Sequence, residues 1–150
     1  MTEEQRLHIR VAGMAVGTLG RGQAQADSVF TYSDNTSPRD AVSLTMPPRL
    51  ASYGWDRGLP PVFDMHLPEG SLRDELLRRF SKAVRGFDDF ALLSIVGPHQ
   101  LGRVAISTTQ SPQAPLPETS LEDLLVHDGA EGLFEDLLAT YGQYSGVSGV

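Results

Sequence analysis

Leu7, Ile9 and Val11 alternate with His8 and Arg10 in "LHIRVA", residues 7–12, a period-two pattern that predicts a half-buried strand. Gly13-Met14 then supplies a tight turn, and "AVGTLGRG" with Val16 and Leu19 predicts the second arm of a hairpin. "DSVFTYS" (27–33), rich in β-branched and aromatic residues, predicts a third strand. The turn-forming cluster "SDNTSPRD" (33–40) follows, and "AVSLTMP" (41–47) predicts a further extended piece closed by Pro47-Pro48. Residues 49–60, "RLASYGWDRGLP", have no hydrophobic period and read as a loop.

The pattern changes at Pro60-Pro61. "PVFDMHLPEG" (61–70) has its apolar residues at 62, 63, 65 and 67, which fits one or two helical turns started by the prolines. Ser71, with Asp74 three residues on, predicts the N-cap of a longer helix with Leu72, Leu76, Leu77 and Phe80 as its buried stripe. Asp88 caps "DFALLSIVG", with Phe90, Leu93, Ile95 and Val96 inward and Gly97-Pro98 as the stop. "GRVAIST" (102–108) predicts a closing strand. Strands, then helices, then a strand give an α+β fold: a small antiparallel or mixed β-sheet with two to three helices packed on it.

Composition divides the chain. Residues 109–118, "TQSPQAPLPE", hold three prolines and read as an extended linker after a domain at 1–108. Residues 119–150 read as an acidic helical extension, with Leu121, Leu124 and Leu125 on one stripe and Leu133, Phe134, Leu137 and Leu138 on another. The net charge of −7 sits entirely beyond residue 110, because all 12 Lys and Arg and 12 of the 19 acids precede it. Without a basic stripe the chain is a poor match for phosphate backbones, so direct nucleic-acid binding is not expected. No apolar run approaches a membrane span, the N-terminus lacks a signal-like core, and cysteine is absent. A cytoplasmic protein is the simplest reading.

Candidate chemistry is sparse. His66 lies between Asp64 and Glu69, but the helical i, i+4 spacing of a metal pair is missing, so the segment reads as a plug seating Phe63 and Leu67. Arg73, Arg78, Arg79, Lys82 and Arg85 form the one basic concentration, either a docking face for an acidic or phosphorylated partner or a solvated helix surface paired with Asp74 and Glu75. Trp55, the single tryptophan, sits with Tyr53, Asp56 and Arg57 in the Gly-containing loop. It is either an exposed interface anchor or a lid on the core. The terminal Ser145, Gly146, Ser148 and Gly149 lack the Lys and the helix of a phosphate loop. No nucleophile triad, Walker sequence, zinc spacing or cofactor motif occurs, and neither a metal nor a cofactor is expected. The residues alone describe a domain that binds rather than catalyses.

Several stretches taken together resemble a known family. "IRVAGMAVGTLGR", "FTYSDN", "AVSLTMP", "PPVFDMHLPEGSLRDELLRRF" and "DDFALLSIVGPHQLGRVAI" are similar to the N-terminal subdomain of HipA-type Ser/Thr kinases of toxin–antitoxin modules. The most specific piece is F-x-x-x-LPEG-x-x-R-x-x-L, from Phe63 to Leu76, followed by the block from Asp88 to Val104. The resemblance implies that "YSGVSGV" is the stub of a Gly-rich ATP loop whose lysine and metal-binding and catalytic Asp residues are missing here. It implies two alternatives: a stand-alone HipS-like antitoxin that neutralises a HipT- or HipA-like kinase beside a HipB-like DNA-binding protein, or the N-terminal piece of a HipA-like kinase. The partner-binding candidates under the first are Trp55, Tyr53, Arg57, Arg73 and Arg78.

Overall fold

The computed structural model describes residues 6–24, 27–83, 86–100 and 102–109. Five strands form one antiparallel sheet: β1 (Arg6–Val11), β2 (Met14–Arg21), β3 (Ser28–Tyr32), β4 (Tyr53–Trp55) and β5 (Val104–Ser107). Their spatial order is β4-β3-β2-β1-β5, so the last strand closes the sheet beside the first. Three helices, α1 (Pro61–Asp64), α2 (Gly70–Ala83) and α3 (Asp89–Val96), occupy the chain between β4 and β5. The α+β expectation holds, and the sheet is antiparallel throughout.

The β1–β2 hairpin turns at Ala12-Gly13, both at positive φ (50° and 84°), with Val11 opposite Met14. The turn lies one residue earlier than the sequence expectation, because two successive left-handed residues match the twist of a two-residue hairpin. A bulge follows: Ile9 faces Gly17 and Arg10 faces Ala15, which leaves Val16 without a partner in β1. Its carbonyl instead accepts from the Ser33 amide at 2.8 Å and the Thr36 hydroxyl at 3.2 Å, tying the turn cluster to the sheet.

The strand residues Leu7, Ile9, Leu19, Phe30 and Ile106 share the buried face and meet Phe63, Phe80, Leu92 and Leu93 from the helices. Phe63 meets Phe30 edge-on at 5.2 Å between ring centres. The opening turn of the helical half is therefore the plug its apolar spacing predicts, with Leu67 also buried. The α3 helix is capped by Asp88, whose carboxylate accepts from the Ala91 amide at 3.0 Å. Its Leu92 is fully buried as well as the four inward residues expected, so the helix is enclosed on most sides. Gly97 ends it hard against β5: a Cβ there would lie 2.7 Å from that of Ile106.

Four expectations are corrected here. Residues 53–55 form an edge strand rather than loop, since Tyr53, Gly54 and Trp55 pair with Phe30, Val29 and Ser28. Three residues are too few to display a period. Residues 41–47 form no strand; an isolated bridge joins Ser43 to Met46 around a tight turn. Leu72 does not belong to the buried stripe and is 40% exposed, while Leu76 and Phe80 are buried. The helix also starts at Gly70, one residue before the expected Ser71 cap. Among the described residues no helix is long and apolar enough to cross a membrane. The Pro-rich linker and acidic extension, apart from Thr109, lie outside the described residues.

Candidate docking surface

Three of the exposed large apolar side chains, Leu44, Leu50 and Trp55, belong to β4 and the loop before it, and that loop is held in shape by tyrosines. Tyr32 on β3 donates its hydroxyl proton to the Met46 carbonyl at 2.5 Å and accepts from the Val42 amide at 3.0 Å. Burial pushes the Tyr32 pKa up; the Val42 amide pulls it back in part, and proximity to Tyr53 adds to the rise. Tyr53 donates to the Pro47 carbonyl at 2.6 Å. Arg49 lies 3.6 Å above the Tyr53 ring and donates to the carbonyls of Ala51 and Ser52 at 3.0 and 3.1 Å. The loop is thereby braced, and it holds Leu44 99% exposed and Leu50 89% exposed. Trp55 follows on the strand itself at 43% exposure.

Trp55 faces Ser28 in the register, so both side chains belong to the helix side of the sheet, at its β4 margin. It is neither a free loop residue nor a closed lid: it is a half-open aromatic fixed on a strand. Arg57 follows at φ 56°, its amide bonded to the Asp27 carboxylate at 3.1 Å and its side chain exposed. The sequence pointed to Tyr53, Trp55 and Arg57; it missed Leu44, Leu50 and Arg49. The signal for the leucines was their position in an aperiodic stretch, where an apolar residue has no assigned face.

The basic helix resolves into ion pairs. Arg73 reaches Asp89 at 2.7 Å and Asp64 at 3.6 Å, linking α2 to α3 and α1. Arg78 grips Glu75 through Nη2 at 2.6 Å, and Arg79 holds the same carboxylate at 2.6 Å. The two arginines keep the Glu75 pKa below the ordinary range, Arg78 foremost. Arg73 therefore serves to join helices, and Arg78 belongs to a solvent-screened surface pair that adds little to stability. Neither is brought near Trp55 by sequence pairing or by any hydrogen bond described above.

His66 is half-buried. Burial lowers its pKa, and a hydrogen bond with Gln100 partly offsets this. Among the described residues no group of His, Asp and Glu is gathered to hold a metal ion. Ser145, Gly146, Ser148 and Gly149 lie outside the described residues, as does the Gly-rich stub as a whole.

The described residues form a small α+β domain with a braced β4 edge. The family model of the HipA N-terminal domain matches residues 7–107, and the chain belongs to that family. No curated protein matches the chain. The matched domain is the non-catalytic N-terminal subdomain of HipA, and membership brings a HipA-related toxin–antitoxin context.

Proposed function

We propose that the protein is the regulatory, antitoxin-like component of such a module, binding a HipT- or HipA-like Ser/Thr kinase in the cytoplasm and holding it inactive. The observation that carries this reading is the braced β4 edge with Trp55 half-open and Leu44 and Leu50 exposed, on a domain of the HipA N-terminal family. An aromatic held on a strand loses little side-chain freedom on binding, which suits it to anchor an interface. Tyr53 and Arg57 flank it, and Arg73 and Arg78 take a lesser part because their charges are already paired. A HipB-like DNA-binding protein joins the assembly directly or through the kinase. The acidic extension after the linker leaves direct contact with DNA to that partner.

The test is Trp55→Ala in the full chain, measured by kinase binding and by suppression of kinase toxicity. The expected loss is about 2 kcal/mol of affinity, roughly thirtyfold, with the fold retained. Met14→Ala, at the exposed hairpin tip, is the control and leaves binding unchanged. Undiminished neutralisation by Trp55→Ala removes the claim for this edge.

A second reading takes the same domain as the N-terminal part of a HipA-like kinase, packed in cis on its own catalytic core. The terminal "YSGVSGV", similar to the start of that family's Gly-rich loop, favours it. The downstream reading frame separates the two: an open frame continuing through a lysine supports the kinase, and a stop followed by a separate kinase gene supports the antitoxin.

A further inference from the structure

Trp55 is followed by a backbone conformation that its residues do not favour. Arg57 sits at φ 56° and Gly58 at φ 98°. Left-handed backbone suits glycine, and an arginine stays there only when its surroundings over-determine it. We propose that Asp27 and Ser28 are positioning residues for Trp55: they hold the strained Arg57-Gly58 turn, and the turn sets how the Trp55 ring is presented to a partner. The proposal deepens the reading of Trp55 as a partner contact and rests on that reading for its binding arm alone.

The grip comes from consecutive residues at the start of β3. One Asp27 carboxylate oxygen accepts from the Arg57 amide at 3.1 Å. The Ser28 hydroxyl donates to the Gly58 carbonyl at 2.7 Å. Ser28 is 1% exposed and is also the register partner of Trp55. The grip is itself anchored to the end of β2. The Asp27 carbonyl accepts from the Gly22 amide at 2.9 Å, and the Asp27 amide donates to the Ala24 carbonyl at 3.0 Å. Gly22 approaches so closely that a Cβ on it would lie 2.6 Å from that of Asp27. On the other side of the turn, Leu59 and Pro60 are buried, so the chain enters the core directly after Gly58.

This arrangement answers a weakness of β4. Its three residues pair on one side only, and so short a ladder at a sheet edge constrains little by itself. The turn fixes the other flank of Trp55, while the side chain stays half-open. A second glycine at position 57 would trace the same path without strain, but would leave the turn more conformations to visit. Arginine there narrows them. A side chain ordered before contact loses less freedom when a partner closes on it.

The single tryptophan reports the grip directly. In the isolated full chain, Asp27→Ala, Ser28→Ala and Arg57→Gly, made separately, are each expected to raise the amplitude of the fast Trp55 anisotropy decay about twofold. Asp27→Asn keeps an oxygen to accept from the Arg57 amide, and Arg57→Ala keeps the strain while removing the guanidinium; both are expected to match the parent in this measurement. Arg57→Gly relieves the strain, so its urea midpoint is expected to equal or exceed that of the parent. A looser Trp55 in a fold of undiminished stability is what a merely structural turn does not give. Against a purified HipA-like kinase, Arg57→Gly is expected to bind about fivefold more weakly than Arg57→Ala. Unchanged anisotropy in Asp27→Ala and Arg57→Gly overturns the proposal, and so does an Asp27→Asn as loose as Asp27→Ala. If Asp27→Ala does not fold, the comparison of Arg57→Gly with Arg57→Ala decides alone. Equal kinase affinity of those two variants, where Trp55→Ala does weaken binding, overturns it too. Should Trp55→Ala leave kinase binding intact, the anchor reading falls, and the kinase-free anisotropy still decides whether Asp27 and Ser28 hold Trp55.

Discussion

Arg21, at the end of β2, forms a two-pronged bond with Asp88, the N-cap of α3, at 2.6 and 2.9 Å. The same carboxylate accepts from the Ala91 amide, and the guanidinium lies 4.6 Å over the Phe90 ring. One side chain thus starts a helix and fastens it to the sheet 67 residues away in sequence. Burial pushes the Asp88 pKa up, but Arg21 and the amides of Ala91 and Phe90 outweigh it and hold the carboxyl below its ordinary value. A depressed folded-state pKa stabilises the fold above the unfolded value near ~4, and the contribution is lost as pH falls through the folded value. Asp88→Ala is expected to cost about 1–2 kcal/mol at neutral pH, and Asp88→Asn less, because the amide oxygen still caps. Both flatten the acid limb of stability against pH, as read from urea midpoints between pH 2 and 7. An acid limb as steep in Asp88→Asn as in the parent rejects the assignment.

Asp88 was legible in the sequence because a cap is a local signal: an Asp before an apolar run with a Gly-Pro stop behind it. The hairpin, the helices and the closing strand were legible for the same reason, since each repeats its own period over several residues. Arg21 was not, because nothing local to "LGRG" states that its partner is 67 residues on. The β4 strand was hidden for a different reason. It pairs on one side only, with three residues, and its Gly54 breaks any alternation. Leu44 and Leu50 were invisible as surface residues because hydrophobicity alone argues for burial; their exposure follows from the Tyr32 and Tyr53 hydroxyls that fix the loop from outside it. The family resemblance covered the domain well, but it assigned no contact residue; Trp55 came from its type and setting alone.

The Tyr32 hydroxyl holds both ends of the 42–46 turn. Tyr32→Phe leaves the Val42 amide and the Met46 carbonyl without that partner and is expected to cost about 1–2 kcal/mol. Hydrogen exchange at Val42 is expected to accelerate, while exchange in β1 changes only by the global loss. The raised pKa gives an alkaline signature. A folded value above the unfolded value near ~10 stabilises the fold below that pH and is lost as pH rises through the folded value. Tyr32→Phe removes that part of the alkaline decline, and equal slopes in the two proteins contradict it.

His66 gives a weaker signature near neutrality. Its pKa is lowered by burial, so the folded form binds a proton less readily than the unfolded form. Stability is therefore complete above the unfolded value near ~6.5 and declines as pH falls from there through the folded value. His66→Gln, which keeps a hydrogen-bonding side chain beside Gln100, is expected to remove this decline. A chain that loses the same stability between pH 7 and 5 with Gln at position 66 shows that another group is responsible.

The last test separates two leucines of one helix. Leu72 and Leu76 are one turn apart on α2 and fit the same apolar stripe by spacing, yet Leu76 is buried and Leu72 is 40% exposed. Position explains the difference. Leu72 is in the first turn, before the helix meets the core, while Leu76 lies one turn deeper with Phe80, which stacks on Phe87 at 5.3 Å. Leu76→Ala opens a cavity in packed surroundings and is expected to cost about 2–4 kcal/mol. Leu72→Ala is expected to stay within about 1 kcal/mol, and Leu72→Gln to do the same, since either keeps the helix and removes little buried area. Chemical denaturation of the three variants decides it. Equal losses for Leu72→Ala and Leu76→Ala place both leucines in the core and overturn the assigned start of the buried face.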